Sequence, residues 1–284
     1  MITLIMALTI LTASILMIDH FMLFSILAAV CLSFSLAPLG CFLLWRRQAF
    51  FGDAMAHSAI LGVAMSLMWG TTPLWGIFLI CVLIAGLLAY GPLYFKLPSD
   101  TWLGLLSYTL MAIAFIVIRA LPRSGPRSGG QVEQFLFGDL LLLNAFDVFT
   151  LVATAFIVCA FLILFWRKLI LITLDPDWAF VEGIAPHHMT FLFLIMLSCV
   201  VATTLPIVGA LLVPGLLLLP GASAAQFSKS PEGMVIRSIL SACLMILGGI
   251  MLSFWCDWPV GPTSVVVGFC LFLIGRLLSS MFKR

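Results

Sequence analysis

Apolar stretches about as long as a bilayer is thick recur along nearly the whole of this 284-residue chain, and they decide what it can fold into. A helix needs about 20 apolar residues to cross the hydrocarbon core of a membrane. Hydrophobic residues make up 64% of the chain and charged residues only 8%, against roughly 25% charged residues in soluble domains. We therefore expect an all-α, polytopic membrane protein that forms a single transmembrane domain over residues 1–284.

Turn and charge signals divide the chain into about eight to nine predicted spans. They cover residues 21–45, 54–70, 74–95, 102–120, 145–166, 189–205, 207–219, 238–256 and 263–281. Residues 1–20 form a further apolar segment, which either crosses the membrane or lies at its surface. Some helices should be interrupted, as in the paths of other transporters; the predicted breaks lie at Pro206, Gly209, Pro214, Gly215 and Pro220.

The basic residues set the expected orientation, because cytoplasmic loops carry most of the Lys and Arg. One orientation places 10 of the 13 basic residues inside: Arg46, Arg47, Lys96, Arg167, Lys168, Lys229, Arg237, Arg276, Lys283 and Arg284. We therefore predict a cytoplasmic C-terminus. Since Arg46 is the first basic residue, the N-terminus lacks the basic region of a secretory signal peptide, and residues 1–20 should be retained.

The second predicted span carries two ionisable residues, in a stretch that reads WRRQAFFGDAMAHSAILGV from Trp45 to Val63. Asp53 and His57 lie four residues apart and therefore share one face of a helix. The helix from Arg47 to His57 would be about 15 Å long, roughly half of a hydrocarbon core of about 30 Å. Ionisable residues at such a depth mark ion pathways.

Carboxylate oxygen and imidazole nitrogen together suit Zn²⁺ and are tolerable ligands for Mn²⁺ or Fe²⁺. Two ligands are too few for a tight four-coordinate site, which suits transport because the ion must also leave. A two-fold dimer around an axial path would offer two Asp and two His ligands. The residues alone leave a second interpretation open, in which Asp53 caps its helix and His57 hydrogen-bonds to a neighbouring span.

The chain contains no sequence motif for nucleotide binding, for a catalytic serine or for a zinc protease. It has no G-x-x-x-x-G-K-[ST] phosphate loop, no G-x-S-x-G nucleophile elbow and no H-E-x-x-H zinc motif. Its eight cysteines include no C-x-x-C pair, and we interpret them as small core residues. The loops are too short to hold a soluble domain, so any ATPase must be a separate chain.

Five ordered blocks of the sequence resemble the metal-ion ABC transporter permeases, and within that family the zinc-uptake type. They read WRRQAFFGDAMAHSAILGVA, FLFGDLL (135–141), DPDWAFVEGI (175–184), VGALLVPGLLLLPGASA (208–224) and DWPVGPTSVVV (257–267). The resemblance covers nearly the whole chain from about residue 21. FFGDAMAHS is more similar to the zinc-type members than to the MGDAISH form common in manganese-type ones.

The resemblance implies a permease of a type II-like ABC importer in the bacterial inner membrane. Such a permease forms a homodimer, pairs with two copies of a cytoplasmic ATPase and receives its metal from an extracytoplasmic binding protein. Zn²⁺ would be the transported substrate, no cofactor would be bound permanently, and ATP would bind to the partner. The chain itself would be a transport subunit rather than an enzyme, with lipid around it and no nucleic-acid partner.

The family's Asp-x-x-x-His motif maps onto Asp53 and His57 as residues of the metal path. Its cytoplasmic coupling segment maps onto residues 221–233, whose small residues suit a short helix that docks into an ATPase groove; a plain connecting turn is the alternative. The coupling residues are Gly221, Ala222, Ser223, Ala224, Ala225, Gln226, Phe227, Ser228, Lys229, Ser230, Pro231, Glu232 and Gly233.

Three features concern the external side and selectivity. Asp139 and Asp257 lie in family-like blocks, where each either caps a loop or contacts the metal at a possible entrance. The external loop 119–134 would face the binding protein. Several zinc-type relatives carry a histidine in a small-His-Ser element where this chain reads SYT at residues 107–109. Its absence here implies a different selectivity if that histidine matters in the relatives.

These observations predict a zinc-import permease that works by alternating access. The nearest alternative is the same machine carrying Mn²⁺ or Fe²⁺. A different class would be an ion-coupled secondary carrier acting alone, but Asp53 and His57 leave little for a separate proton or sodium relay. A membrane scaffold or receptor would leave the Asp-His pair unexplained.

Overall fold

The computed structural model describes residues 2–120, 138 and 143–282, without the side chains of residues 2–21, 93 and 279–282. Every regular element within these ranges is a helix, which confirms the predicted fold class. In chain order the helices are α1 (Ile2–Trp45), α2 (Phe51–Trp69), α3 (Pro73–Phe95), α4 (Ser99–Ala120), α5 (Ala145–Leu174), α6 (Pro176–Val181), α7 (Pro186–Val208), α8 (Leu212–Ala225), α9 (Pro231–Cys256) and α10 (Val260–Phe282). Most of the predicted external loop 119–134 lies outside the described residues, as do Asp139, Lys283 and Arg284.

Eight helices of the described part are long and apolar enough to cross a membrane. They are α2, α4, α5, α7, α9, the Met22–Trp45 part of α1, the Pro73–Pro92 part of α3 and the Val260–Leu278 part of α10. Helix α8 is also apolar, but its 14 residues are too few to span the bilayer. The predicted multi-pass membrane fold is therefore confirmed, with one short helix where a ninth span was expected.

Three predicted boundaries are wrong. The chain does not break at Pro206, which lies inside α7, nor at Pro214, Gly215 and Pro220, which lie inside α8; it breaks at Gly209, whose φ of 87° and ψ of 153° favour glycine. Helix α5 continues past Arg167 and Lys168 to Leu174, because the residues that follow are again apolar. Helix α9 begins at Pro231, seven residues before the predicted span.

Local sequence explains where the helices begin. Proline occupies the first turn of α3, α6, α7 and α9, where its missing N–H costs no hydrogen bond. The Ser230 hydroxyl accepts a hydrogen bond from the Gly233 N–H and so caps α9. Asn144 donates its backbone N–H to Asp147 Oδ2 at the start of α5, as in a capping box.

The first helix is longer than a membrane requires. Residues 2–20 continue without a break into the span at Met22–Trp45, so α1 has 44 residues and a length of about 66 Å. The N-terminal segment is therefore an extension of the first span rather than a tenth helix of its own.

The core lies around α1 and α2. In the most apolar 18-residue window of each span, 78% of α1 and 67% of α2 are buried, against 28% in each of α4, α9 and α10. The largest fully buried side chains include Phe42 of α1, Phe51 of α2 and Phe193 of α7. Helices α1 and α2 are thus inner helices, and α4, α9 and α10 present most of their surface outward.

Glycines allow the inner helices to approach one another. A Cβ atom on Gly52 of α2 would lie 2.9 Å from Pro214 Cα of α8, and one on Gly40 of α1 would overlap the carbonyl oxygen of Leu217. A Cβ on Gly62 of α2 would lie 2.6 Å from Ile77 Cα of α3. Small residues at such contacts are characteristic of helix packing in membranes.

Arg46 joins three helices just beyond the end of the first span. Its Nε donates to Thr173 Oγ1 at 3.2 Å and its Nη1 to Thr190 Oγ1 at 3.4 Å, while the guanidinium lies 5.0 Å from the Phe193 ring centroid. Burial lowers the pKa of Arg46 to about 10, so the side chain keeps its charge at neutral pH. We call the end of the bundle that contains Arg46 the basic end.

The Gly62 contact gives a stability prediction. Gly62→Ala should lower the free energy of unfolding by about 1–3 kcal/mol, because the added methyl group overpacks the α2–α3 interface. Gly104→Ala is the matched control, since a Cβ at this helical glycine meets no atom within 4 Å. The measurement is detergent-induced unfolding followed by circular dichroism. Equal stability of the two variants would contradict the close α2–α3 packing.

Candidate functional site

Asp53 and His57 lie in the first two turns of α2, and both are half-buried. The predicted continuous helix from Arg47 to His57 is wrong, because the chain turns before α2 begins at Phe51. The distance of Asp53 and His57 from the basic end of the bundle is instead estimated from the position of α8 beside α2. Gly52 lies against Pro214, and Pro214 is about 16 Å along α8 from its end at Ala225 at about 1.5 Å per residue.

Asp53 and His57 share one cavity of about 230 Å³. One wall is the face of α2 that carries them, a second wall is α4, and the third is the break between α7 and α8. The lining residues are Asp53, Ala56, His57, Ile60, Met111, Ala114, Phe115, Ile118, Ala210, Leu211 and Pro214. The break between α7 and α8 therefore lines the cavity at Ala210 and Leu211, and Pro214 in the first turn of α8 lines it as well.

His57 is tied to α4 through one serine. Its Nδ1 lies 3.1 Å from the Ser107 carbonyl oxygen and 3.0 Å from Ser107 Oγ. This contact is the hydrogen bond to a neighbouring span that the simpler interpretation of His57 requires. It also leaves the second ring nitrogen, Nε2, for another partner, so the contact is compatible with both interpretations.

Asp53 does not cap its helix in the expected way. Phe50 is the N-cap residue of α2, and no side chain makes a capping hydrogen bond there. As the third residue of the helix, Asp53 still lies where the helix dipole favours a negative charge. A carboxylate in this position, lining a cavity with an imidazole, is able to bind a cation.

A single chain supplies few ligands at this site. The described residues contain no group of three or more His, Cys, Asp and Glu side chains that could hold a metal ion. The cavity nevertheless has an outward edge, since Phe115 is 60% exposed and Leu211 is 50% exposed. Beyond the described residues, further ligands for a cation would come from water, from another molecule facing this edge or from the remaining part of the chain.

The segment 221–233 is divided among three elements. Residues 221–225 complete α8, residues 226–230 form a turn, and residues 231–233 begin α9. The separate short helix that the small residues suggested is therefore absent. Gly221 and Ala224 are buried, with a Cβ at Gly221 lying 3.7 Å from the Cys41 backbone nitrogen. These small residues thus have a packing role within the chain.

The outward part of this segment lies at the basic end. Ala225, Phe227, Lys229, Ser230, Pro231 and Glu232 are exposed, whereas Ala222, Ser223, Gln226, Ser228 and Gly233 are partly buried. Gln226 Nε2 donates to the Phe272 carbonyl oxygen of α10 at 3.2 Å, which anchors the turn.

Of the two aspartates predicted at a metal entrance, the structure describes only Asp257. Asp139 lies outside the described residues. Asp257 is exposed, ends α9 with a φ of 53°, and does not line the cavity with Asp53 and His57. Its role as a metal contact therefore stays a prediction, and its place in the fold is that of a helix-capping residue.

Sequence reasoning missed most of the cavity. Met111 and Phe115 of α4 line it, but no charge or motif distinguishes them from other apolar residues of a span. The only sequence signal at Ser107 is that residues 107–109 read SYT where some zinc-type relatives carry a small-His-Ser element. The contact of Ser107 with His57 joins positions 50 residues apart, which spacing along one helix does not reveal.

The chain is similar in sequence, over most of its length, to known proteins. The sequence model of the ABC 3 transport family matches residues 18–279. The high-affinity zinc uptake system membrane protein ZnuB of Haemophilus influenzae is 33% identical over 260 residues, covering 92% of this chain and 96% of that protein. The manganese transport system membrane protein MntC of Halalkalibacterium halodurans is 27% identical over 252 residues, covering 89% of this chain and 85% of that protein.

A solved structure has the same fold. PsaBC from Streptococcus pneumoniae in complex with Fab aligns with a TM-score of 0.77 and 23% sequence identity. The alignment covers 90% of this chain and 91% of the solved chain. The similarity thus extends over nearly all of the helical bundle.

The cavity should admit water-soluble reagents. In a background with the exposed Cys256 and Cys270 replaced by serine, Ile60→Cys should react with a small cationic thiol reagent about tenfold or more faster than Ala59→Cys, because reactivity follows exposure. Ile60 lines the cavity, whereas the adjacent Ala59 is fully buried and does not. Labelling is measured by mass spectrometry in membranes. Equal rates would mean that the cavity is closed to water.

Proposed function

This chain belongs to the ABC 3 transport family and is a permease of metal-ion ABC importers; we propose that the metal it carries is Zn²⁺. The observation that carries this proposal is the pairing of Asp53 and His57 on one face of α2, in one cavity. Oxygen and nitrogen ligands of this kind suit Zn²⁺. Relatives named for zinc uptake are 27–33% identical to this chain, and those named for manganese transport are 25–27% identical.

Transport in this proposal depends on weak, transient binding. Asp53 and His57 supply two ligands per chain, and water or a second copy completes the coordination shell. An ion held by so few protein ligands leaves readily, which conduction requires. Because the helix carrying the two ligands is an inner helix of the bundle, a change in its neighbours α4 and α8 would alter access to the ion from either side.

We further propose that two copies of the chain form the path. The cavity edge at Phe115 and Leu211 is exposed in one protomer, and a two-fold axis facing it would bring together two Asp53 and two His57 side chains. Four such ligands match the four-coordinate geometry that Zn²⁺ prefers. A closed two-fold dimer is the commonest symmetric assembly of soluble oligomers, and its geometry applies equally here.

The energy source in this proposal is a separate ATPase, because the chain has no phosphate-binding loop of its own. The exposed part of residues 221–233 is the surface we propose for docking it. Helix α8 connects this surface to the ion site, since Ala225 ends the helix at the coupling segment and Pro214 lines the cavity. An extracytoplasmic binding protein would deliver the metal at the opposite end, where residues 119–134 and Asp257 are candidate contacts, and the membrane would be the bacterial inner membrane.

A Mn²⁺ or Fe²⁺ permease is the second candidate. It is favoured by the relatives named for manganese and iron transport, which are 25–27% identical to this chain. The ligand set also tolerates these ions. Competition of each metal with radioactive zinc uptake distinguishes the two candidates: only excess zinc should compete strongly.

The metal-path role of the pair predicts a specific loss of uptake. Asp53→Asn and His57→Ala should each lower radioactive zinc uptake in zinc-starved cells by about tenfold or more, since removing even a partner of a metal-bound histidine costs about 10–100-fold. Membrane levels of each variant are measured by immunoblot. Asp100→Asn and His188→Ala, which change exposed residues that do not line the cavity, should leave uptake unchanged.

Persistent uptake in both Asp53→Asn and His57→Ala, at normal protein levels, would falsify the proposed metal path. Loss of uptake in the two control variants as well would point to a general effect of charge or histidine changes. A loss confined to the cavity pair supports the path and leaves only the identity of the metal to the competition assay.

The coupling surface predicts a steric effect on partner binding. Ala225→Trp should reduce the amount of ATPase that co-purifies by about tenfold, or about 1.4 kcal/mol of binding free energy, because Ala225 is an exposed small residue of the proposed dock. Ala185→Trp changes another exposed alanine at the basic end, outside this segment, and should have no effect. Equal co-purification of both variants with the ATPase would place the dock elsewhere.

A further inference from the structure

A single serine on α4 holds the imidazole of His57. Ser107 is only 3% exposed, and its Oγ and carbonyl oxygen lie 3.0 Å and 3.1 Å from the same ring nitrogen, Nδ1. We propose that Ser107 is a positioning residue, which keeps the proton of His57 on Nδ1 and thereby presents the Nε2 lone pair to the transported ion. This inference rests on the proposed role of His57 in metal transport.

The carbonyl oxygen of Ser107 selects one tautomer of His57. A carbonyl oxygen can only accept a hydrogen bond, so the contact with Nδ1 requires the proton to be on that nitrogen. The hydroxyl can accept from the same N–H or donate to a bare Nδ1, so it holds the ring in either tautomer and leaves the choice of tautomer to the carbonyl. In the opposite tautomer, lone pairs of Nδ1 and the carbonyl would face each other, and the proton on Nε2 would block metal binding.

This arrangement is the one that metal-binding histidines commonly use. Such a histidine donates its other ring N–H to a carboxylate, carbonyl or water, which fixes both the tautomer and the ring orientation. Here the acceptor comes from α4, while the imidazole belongs to α2, so the contact also sets the distance between two walls of the cavity.

Only a small side chain with an oxygen atom serves at this position. Ser107 is buried against α2, so a larger residue would displace the imidazole from the cavity wall. Thr109, two residues along the same helix, shows the contrast. Its hydroxyl donates to the Leu105 carbonyl of its own helix, and its side chain is exposed. The hydroxyl of Thr109 therefore serves as a matched control for that of Ser107.

The first test measures zinc affinity. Purified permease in lipid nanodiscs is titrated with zinc against a fluorescent chelator. Ser107→Ala should weaken binding by about tenfold, the lower end of the usual 10–100-fold loss, because the backbone carbonyl remains. Ser107→Thr, which keeps a hydroxyl, should bind more tightly than Ser107→Ala, and Thr109→Ala should equal the wild type. Wild-type affinity in Ser107→Ala would overturn the role of the hydroxyl.

The second test observes the tautomer directly in the wild type. Nitrogen-15 NMR of histidine-labelled permease reports which ring nitrogen carries the proton, and the His57 signals are identified by their loss in His57→Gln. Wild type should show a protonated Nδ1 and a bare Nε2 that shifts when zinc is added. Ser107→Ala keeps the backbone carbonyl and should therefore keep the proton on Nδ1, and Thr109→Ala should match the wild type.

The outcomes separate this inference from the function on which it rests. A proton on Nε2 of the wild type, or a wild-type zinc affinity in Ser107→Ala, overturns the positioning role while leaving His57 free to bind metal. If zinc shifts neither nitrogen of His57 in the wild type, the proposed metal path fails, and the inference fails with it.

Discussion

The close approach of α8 to α1 and α2 is the constraint on which the rest of the structure depends. Gly40 faces the Leu217 backbone and Gly52 faces Pro214, and in both places a side chain would not fit. Because α8 lies so deep, the break before it forms a cavity wall opposite Asp53. The same helix ends at the proposed coupling segment, so a displacement of that end changes the position of Pro214 against α2.

The polar side chains of the bundle illustrate what distinguishes the candidate site. Buried hydroxyl groups such as those of Ser33, Ser198 and Thr204 donate to carbonyl oxygens of their own helices, which satisfies them at little cost in lipid. His57 is instead bonded to another helix, and Asp53 lies beside it in the same cavity. A polar pair that its own helix does not satisfy is expected at an ion path rather than in a packing interface.

Hydropathy predicted the membrane spans well, because the bilayer imposes one length on every crossing helix. It failed at Pro206, because α7 continues through this proline despite the missing N–H, whereas Gly209 has a backbone conformation that stops the helix. The Asp-x-x-x-His spacing predicted that Asp53 and His57 share a face, which the common cavity confirms. The partner on α4 was not predictable, because contacts between helices depend on packing that a periodic pattern does not encode.

In the function proposed for this permease, Asp53 and His57 bind the transported zinc ion. The zinc K-edge X-ray absorption spectrum of the zinc-loaded permease tests this binding most directly. The account predicts nitrogen and oxygen ligands at about 2.0–2.2 Å, with the scattering pattern of imidazole. A shell of sulfur ligands at about 2.3 Å would contradict it, because that distance belongs to cysteine coordination and would place the ion away from this pair.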